Sequence, residues 1–353
     1  MNDIENYLDQ AIPSICQNCN IPGISFAFYT PFFEPILYSH GLRVCSSTAS
    51  AGEAVTSETS FQLASVSKFV TSCLVLELSH QNQLQIDHSI SHEIWDLWEG
   101  QLNFSPEDVL ITWSHLLSHR AGFLDYGGLR GIASDSNALP ELISWQKKPH
   151  LIHRNDHVGQ YHYSACSYWV IQQLLERLTG IDFPSLLQKN LFTPLVMTSS
   201  FATAYPPIDS NVACGHGSIG RLPSCFMSYP ACEAVAGIWS SASDLWLLME
   251  QLLRRPAERE FFNHQPGVVL TDLLRSPFPG TYKLGLYLRE KNGLQLYVHT
   301  GLNPGFSSGI IFNKAISSGV AFLINCEISG LVSQAFLELG NILLSTFVQD
   351  DPS

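Results

Sequence analysis

Strand-like segments stand only near the two ends of this chain, and that separation restricts its topology more than any other feature. "GISFAFYT" at 23–30 and "ILYSHGLRV" at 36–44 are two such runs, joined by a proline-rich turn. The pattern returns only with "LQLYVHTG" at 294–301, "SSGIIFN" at 307–313 and "SGVAFLINC" at 318–326. From about 84 to 240 the texture is one of short helical pieces, such as "ITWSHLLSH", "YWVIQQLLERLTG" and "FPSLLQKNLF", with prolines and glycines between them. Such an order predicts one sheet assembled from both termini, with the middle of the chain forming a second, helical lobe. The cleft between lobes is a favoured place for a small-molecule pocket. Longer helices are predicted at 3–17, 65–80, 243–255 and 331–348, and 45–59 reads as loop. In the second of these helices Val66, Phe69, Val70, Cys73, Leu74 and Leu78 recur at helical spacing.

Of the 353 residues 45% are hydrophobic and 14% charged, which supplies a core and excludes a disordered chain. A net charge of −13 argues against nucleic acid or an anionic membrane as partner. The opening "MNDIENYLDQAIPSICQNCN" has acids and no early lysine or arginine, and no apolar run near it resembles a signal peptide. No segment reaches the roughly 18 apolar residues that span a bilayer. The nine cysteines are an odd number spread along the chain, and the Cys16–Cys19 pair has no second CxxC to complete a zinc site. Free thiols in a reducing compartment follow as the expectation, and with them a cytoplasmic location.

Chemistry enters with "FQLASVSKFV" at 61–70, where Ser65 precedes Lys68 by three residues. A second pair at that spacing, Ser144 and Lys147, lies close to Pro149, which limits any helix there. Ser65 opens a predicted helix, so the two side chains leave one face of its first turn. Unsatisfied N–H groups and the positive dipole end favour negative charge developing there. Two readings stand side by side: a nucleophile beside its base, or an N-cap serine followed by a solvated lysine.

A nucleophile also needs an oxyanion site and further proton-transfer groups. "YHYSACSYWV" supplies Tyr163 just before a helix, and "VHTGLNPGFSSGIIF" supplies His299, Thr300 and Gly301 at a strand end. The ordered set "SVSK", "YSA" and "HTG" resembles the serine β-lactamase and penicillin-binding-protein superfamily. It is most similar to the branch of class C β-lactamases, D-aminopeptidases, lactamase-fold esterases and acyltransferases. The blocks "ITWSHLLSHRAGFLDY" (111–126), "LFTPLVMTSSF" (191–201), "AGIWSSASDLWLLMEQLL" (236–253) and "HTGLNPGFSSGIIF" (299–312) extend the resemblance over about 20–348.

The resemblance implies an α/β fold of the α+β type: an antiparallel sheet flanked by helices, with an inserted all-helical lobe. A single domain over 1–348 is expected, its α/β lobe built from about 1–82 and 241–348 and its helical lobe from about 83–240, followed by a tail at 349–353. It further implies that Ser65 attacks a carbonyl and is acylated, with Lys68 and Tyr163 sharing the proton transfers; which of them is the first base stays open. The backbone N–H groups of Ser65 and Leu302 would form the oxyanion hole. His299, Thr300, Gly301, Ala165 and Tyr126 are the expected substrate-binding positions, and no cofactor or metal is implied.

Two departures bear on substrate. Ala165 stands where the second motif commonly has asparagine, whose amide holds acylamino side chains, and Cys166 beside it reads as packing. His299 replaces the usual lysine; it can donate to a substrate oxygen, but with a charge that depends on pH. Both lean towards esters, thioesters or atypical amides.

Rival motifs fare worse. "GFSSG" at 305–309 matches a nucleophile elbow, yet no histidine follows His299. His150, His153, His157 and His162 read as loop histidines rather than metal ligands. Phe61, Tyr126, Trp169, Trp239 and Phe306 read equally as an acyl pocket or as core. The resulting expectation is a cytoplasmic serine hydrolase acting on a small-molecule acyl substrate, free or carrier-bound, with ester hydrolysis as its reaction. Acyl transfer or peptide cyclisation, β-lactam or D-amino peptide hydrolysis, and a silent binding scaffold are the alternatives in that order.

Overall fold

The separated strand runs meet in one seven-stranded sheet. Its strands are β1 (Gly23–Tyr29), β2 (Ile36–Val44), β3 (Glu53–Ala54), β4 (Tyr287–Lys291), β5 (Leu294–Asn303), β6 (Phe306–Asn313) and β7 (Ser318–Ile324). They lie in the order β4-β5-β6-β7-β1-β2-β3, and every neighbouring pair is antiparallel. The join between the two ends of the chain is the β1–β7 pairing, with Phe26 opposite Phe322 and Ile24 opposite Ile324. This architecture comes from a computed structural model, which describes residues 2–32, 34–44, 52–97, 105–124, 132–133, 153–204, 206, 211–217, 220–221, 226–229, 232–254, 266–291, 293–328 and 330–346.

Both faces of the central strands are covered, which explains their almost unbroken apolar sequences. Ile24, Phe26 and Phe28 of β1 and Val320 and Phe322 of β7 point to one side. There they meet Ile4, Leu8 and Ile12 of helix α1 (Asn2–Cys19) and Phe336, Leu339 and Leu343 of a C-terminal helix. The stripe Ile4–Leu8–Ile12 repeats every four residues, as one buried face of a helix requires. Alternate residues such as Ala27, Ala321 and Leu323 face the other side and join the larger core around helix α2 (Val66–His80). The remaining long helices are α3 (Ala165–Thr179), α4 (Ala242–Leu253) and the C-terminal α5 (Gly330–Thr346).

Helix α2 differs from its sequence expectation in one respect. Its apolar spacing predicts one buried stripe, yet every residue from Val66 to Leu78 is buried. The polar ones are absorbed by specific partners: Thr71 donates to the carbonyls of Ser67 and Ala234, and Ser72 to that of Lys68. Glu77 accepts the backbone N–H groups of Gly267 and Val268. The helix therefore runs through the interior, with the sheet on one side and the described stretches 183–192 and 233–237 on the other.

A strained turn closes the segment Gln188–Phe192. Met197 N–H donates to the Phe192 carbonyl at 2.8 Å and Val196 N–H to that of Thr193 at 3.1 Å. The first bond is the outer closure of a Schellman turn, and Phe192 and Met197 are both buried, as its hydrophobic contact requires. Such turns usually place glycine at the left-handed position; here it is Val196, with φ 59° and 66% of its surface exposed. Val196→Gly should raise the free energy of unfolding by about 0.5–1 kcal/mol in urea titrations, the relieved strain outweighing the extra freedom of the unfolded chain. A lower midpoint for the glycine variant would show that the valine is unstrained.

Candidate functional site

The first turn of α2 is placed by a short strand. Phe61–Gln62 pairs with Ile238–Ser240, and the Leu63 N–H continues onto the Ile238 carbonyl at 2.8 Å. The chain then reverses through Ala64, whose φ of 48° lies in the left-handed region that a Cβ disfavours. The bonds Val66 N–H to Leu63 O (3.1 Å) and Ser67 N–H to Ala64 O (2.9 Å) close this corner. Ser65 thus stands at the helix N-terminus.

The two sequence readings of Ser65 and Lys68 now separate. Ser65 makes no side-chain cap hydrogen bond, and Lys68 is only 1% exposed. Lys68 Nζ instead donates to Ser65 Oγ at 3.2 Å and to the Val235 carbonyl at 2.9 Å. It also lies 5.3 Å from the ring centroid of Tyr163 and 6.0 Å from that of Tyr168. No carboxylate pairs with it among the described residues. Tyr163 enters from the segment before α3, and its phenol donates to Ser65 Oγ at 3.2 Å. One hydroxyl oxygen therefore receives an ammonium and a phenol from two different parts of the chain.

The backbone segment that holds Lys68 is itself anchored. Glu233–Gly237 forms one π-helical turn, whose Ala234 N–H donates to Gln172 Oε1 at 3.1 Å. Gln172 Nε2 in turn donates to Glu233 at 2.7 Å, and Asn303 Nδ2 donates to the Ala236 carbonyl and to Gln62. The "AGIWSS" block was legible in the sequence, but the carbonyl one residue before it, which fixes Lys68, carries no side-chain signature.

Strand β5 borders the site with its third-motif residues. Gly301 lies so close that a Cβ there would come within 2.4 Å of Leu63 O, 2.5 Å of Ser308 Oγ and 2.9 Å of Ser65 N. Glycine is the residue this approach admits. Leu302 follows directly, pairing with Ser307 on β6, and its side chain is 54% exposed. Thr300 is exposed as well, whereas His299, Gly301 and Asn303 alternate onto the buried face.

His299 is not the pH-dependent substrate donor expected from sequence. It is 1% exposed, and its Nδ1 lies 2.9 Å from the Thr300 carbonyl, which can only accept. The proton therefore sits on Nδ1, and Nε2 takes the Tyr282 hydroxyl at 3.4 Å. Burial first, then the charge of Lys68, pushes its pKa down to about 3. His119 beside it is pushed well below the usual range by the same two causes. Tyr282, 17 residues before His299, was not legible as a site residue because nothing in its local sequence marks it.

The other expected positions divide. Ala165, the first residue of α3, is half-buried and offers no polar group, and Cys166 is buried in the core. Phe61, Trp169, Trp239 and Phe306 are all core, each at most 1% exposed. Tyr126 lies outside the described residues, as do Ser144, Lys147 and His150. His157 and His162 stack with centroids 4.2 Å apart and 13° between planes, so their rings lie face to face instead of converging on one point. Among the described residues no group of three His, Cys, Asp or Glu is placed to hold a metal, and no helix is long and apolar enough to cross a membrane.

The Beta-lactamase family profile matches residues 8–335, and the chain belongs to that family. Protein flp of Staphylococcus aureus (strain NCTC 8325 / PS 47) is 21% identical over 329 residues; the match covers 92% of this chain and 64% of that protein. The chain thus spans less than two thirds of that relative's length. ML-236A carboxylate methylbutanoyltransferase mlcH of Penicillium citrinum is 27% identical over 158 residues, 40% of this chain and 37% of its own. Among solved structures, the octameric penicillin-binding protein homologue from Pyrococcus abyssi superposes with a TM-score of 0.73 at 20% identity, over 95% of this chain and 76% of that one. A class C beta-lactamase mutant gives a TM-score of 0.72 at 19% identity, covering 96% and 97%. These likenesses show the fold: an antiparallel sheet flanked by helices, as the motif resemblance implied.

A neutral buried His299 makes stability depend on pH with a definite sign. Its folded pKa is about 3, against roughly 6.5 in an unfolded chain. The unfolded state binds the additional proton between these values, so the contribution is complete above about pH 6.5 and is lost as pH falls towards 3. At pH 5 the loss is about 2 kcal/mol. His299→Asn should therefore lose less unfolding free energy than wild type between pH 7 and pH 5, by about that amount. Equal losses in urea titrations at the two pH values would contradict a buried neutral imidazole.

Proposed function

We propose that this chain is a serine hydrolase that works through an acyl-enzyme on Ser65, with carboxylic ester hydrolysis as its reaction. The observation that carries this reading is the convergence of Lys68 Nζ and Tyr163 OH on Ser65 Oγ, each at 3.2 Å. A serine that neither caps its helix nor faces bulk water alone, and that holds two proton-transfer groups, has the geometry of an activated nucleophile.

With one proton released from the Lys68–Tyr163 pair to solvent, so that one of the two offers a lone pair, Ser65 Oγ attacks the ester carbonyl carbon and passes its proton to that group. The negative charge on the former carbonyl oxygen is met by the N–H groups of Ser65 and Leu302. The tight approach of Gly301 to Ser65 N supports this pairing, since it brings the following residue of β5 to the helix N-terminus. The carbon–oxygen bond to the alcohol then breaks, and the departing alkoxide takes the proton back from the pair. Water adds to the acyl-enzyme with the same groups acting in reverse, releasing the carboxylic acid and restoring the Ser65 hydroxyl.

The site's chemistry favours acyl donors without a carboxylate near the scissile bond. His299 is neutral and committed to Thr300 and Tyr282, so it offers no charge to a substrate anion. Ala165 offers no amide for an acylamino group. Leu302 itself carries an exposed apolar side chain and no charge. Transfer of the acyl group to an alcohol or amine is the second reading, favoured by the partial likeness to a methylbutanoyltransferase. The working location of this reaction is proposed to be the cytoplasm.

The test is turnover of a p-nitrophenyl butyrate series with and without added alcohols. Ser65→Ala should abolish turnover, and Lys68→Met and Tyr163→Phe should each lower kcat by roughly 10²–10⁴-fold while the variants still unfold cooperatively. Ester products appearing in place of acid when alcohol is added would select acyl transfer. Near-wild-type rates in the Ser65→Ala variant would sink the mechanism.

A further inference from the structure

We propose that His119 is a positioning residue that holds Tyr163 over Ser65, and so sets the acylation rate without touching substrate; this rests on the preceding reading of Ser65 and Tyr163. His119 grips the backbone on both sides of that tyrosine. Its carbonyl accepts the His162 N–H at 2.9 Å, and its Nδ1 accepts the Ser164 N–H at 3.1 Å. Its ring lies against the Tyr163 ring at 4.4 Å between centroids, and against those of Tyr282 and Tyr168 at 4.8 and 5.2 Å.

The local backbone is shaped for this grip. His119 takes φ 57°, in the left-handed region, which lets its carbonyl and its ring address the same three-residue segment. The turn is fixed from behind by His119 N–H to Leu116 O and Arg120 N–H to His115 O. On the far side Ser164 is the N-cap of α3, yet its own side chain makes no cap bond. The start of α3 is thus tied down at Ser164 through the imidazole.

The imidazole is chemically specified, beyond filling space. Because Nδ1 accepts a backbone N–H, the proton lies on Nε2. That N–H is buried and has no nitrogen or oxygen partner among the described residues. A leucine of similar bulk would leave the Ser164 N–H without its acceptor. Asparagine would keep an acceptor at the Nδ1 position and tolerates left-handed backbone better than other residues with a Cβ.

The experiment compares His119→Leu and His119→Asn, each alone and combined with Tyr163→Phe. Two readouts are taken: kcat and KM for p-nitrophenyl butyrate, and the ¹³Cζ signal of Tyr163 in tyrosine-labelled protein, assigned by its absence in Tyr163→Phe. His119→Leu should shift the Tyr163 signal and lower kcat by roughly 10²-fold with KM unchanged. His119→Asn should restore both towards wild type. In the Tyr163→Phe background, His119→Leu should cost no further rate. An undiminished effect in that background, or an asparagine variant as impaired as leucine, would overturn the proposal, as would an unmoved Tyr163 signal. If wild type turns over no ester, the reading of Ser65 fails, and the carbon signal still decides whether His119 places Tyr163.

Discussion

A buried ammonium without a carboxylate is the constraint on which this structure turns. Lys68 sits in the interior with a carbonyl, a hydroxyl and two aromatic faces as its surroundings. Removing such a charge from water is costly unless every donor finds an acceptor. That requirement accounts for much of the surrounding architecture. The π-turn Glu233–Gly237 presents the Val235 carbonyl; Gln172 and Asn303 hold the turn; Tyr163 and Tyr168 supply ring faces. The same charge also acts on its neighbours, adding to burial in keeping His119 and His299 neutral.

Seen from Lys68, the third motif has a different task from the one its position in sequence implies. His299 is turned inward to Tyr282, while Thr300 and Leu302 alternate onto the exposed face of β5. Gly301 makes the close passage past Ser65 N, and Leu302 follows it along the strand with an exposed side chain. The proposed preference for uncharged ester donors is thus a consequence of where the positive charge resides. It is beneath the serine, held by backbone, and the neutral His299 adds none.

How much of this was legible in the sequence varies with how local the cause is. The sheet was readable because alternate burial on both faces leaves unbroken apolar runs at each end of the chain. Ser65 and Lys68 were readable as a pair because helical geometry alone puts residues three apart on one face. Their meaning was not, since an N-cap serine and a solvated lysine share that spacing; it took the burial of Lys68 to separate the two. Tyr163 became legible only through the ordered series of motifs. Val235 and Tyr282 stayed hidden for physical reasons: the first acts through its carbonyl, which any residue has, and the second reaches His299 from a loop. The full burial of α2 was also unreadable, because Thr71, Ser72 and Glu77 read as solvated positions until their partners are known.

Ser65, and no other serine, is the proposed nucleophile of this chain. Tandem mass spectrometry after treatment with a small alkyl fluorophosphonate tests it most directly. A single adduct per chain is expected, located on Ser65 and absent when Lys68 is replaced by methionine. An adduct on a different residue, or unchanged labelling without Lys68, would contradict it.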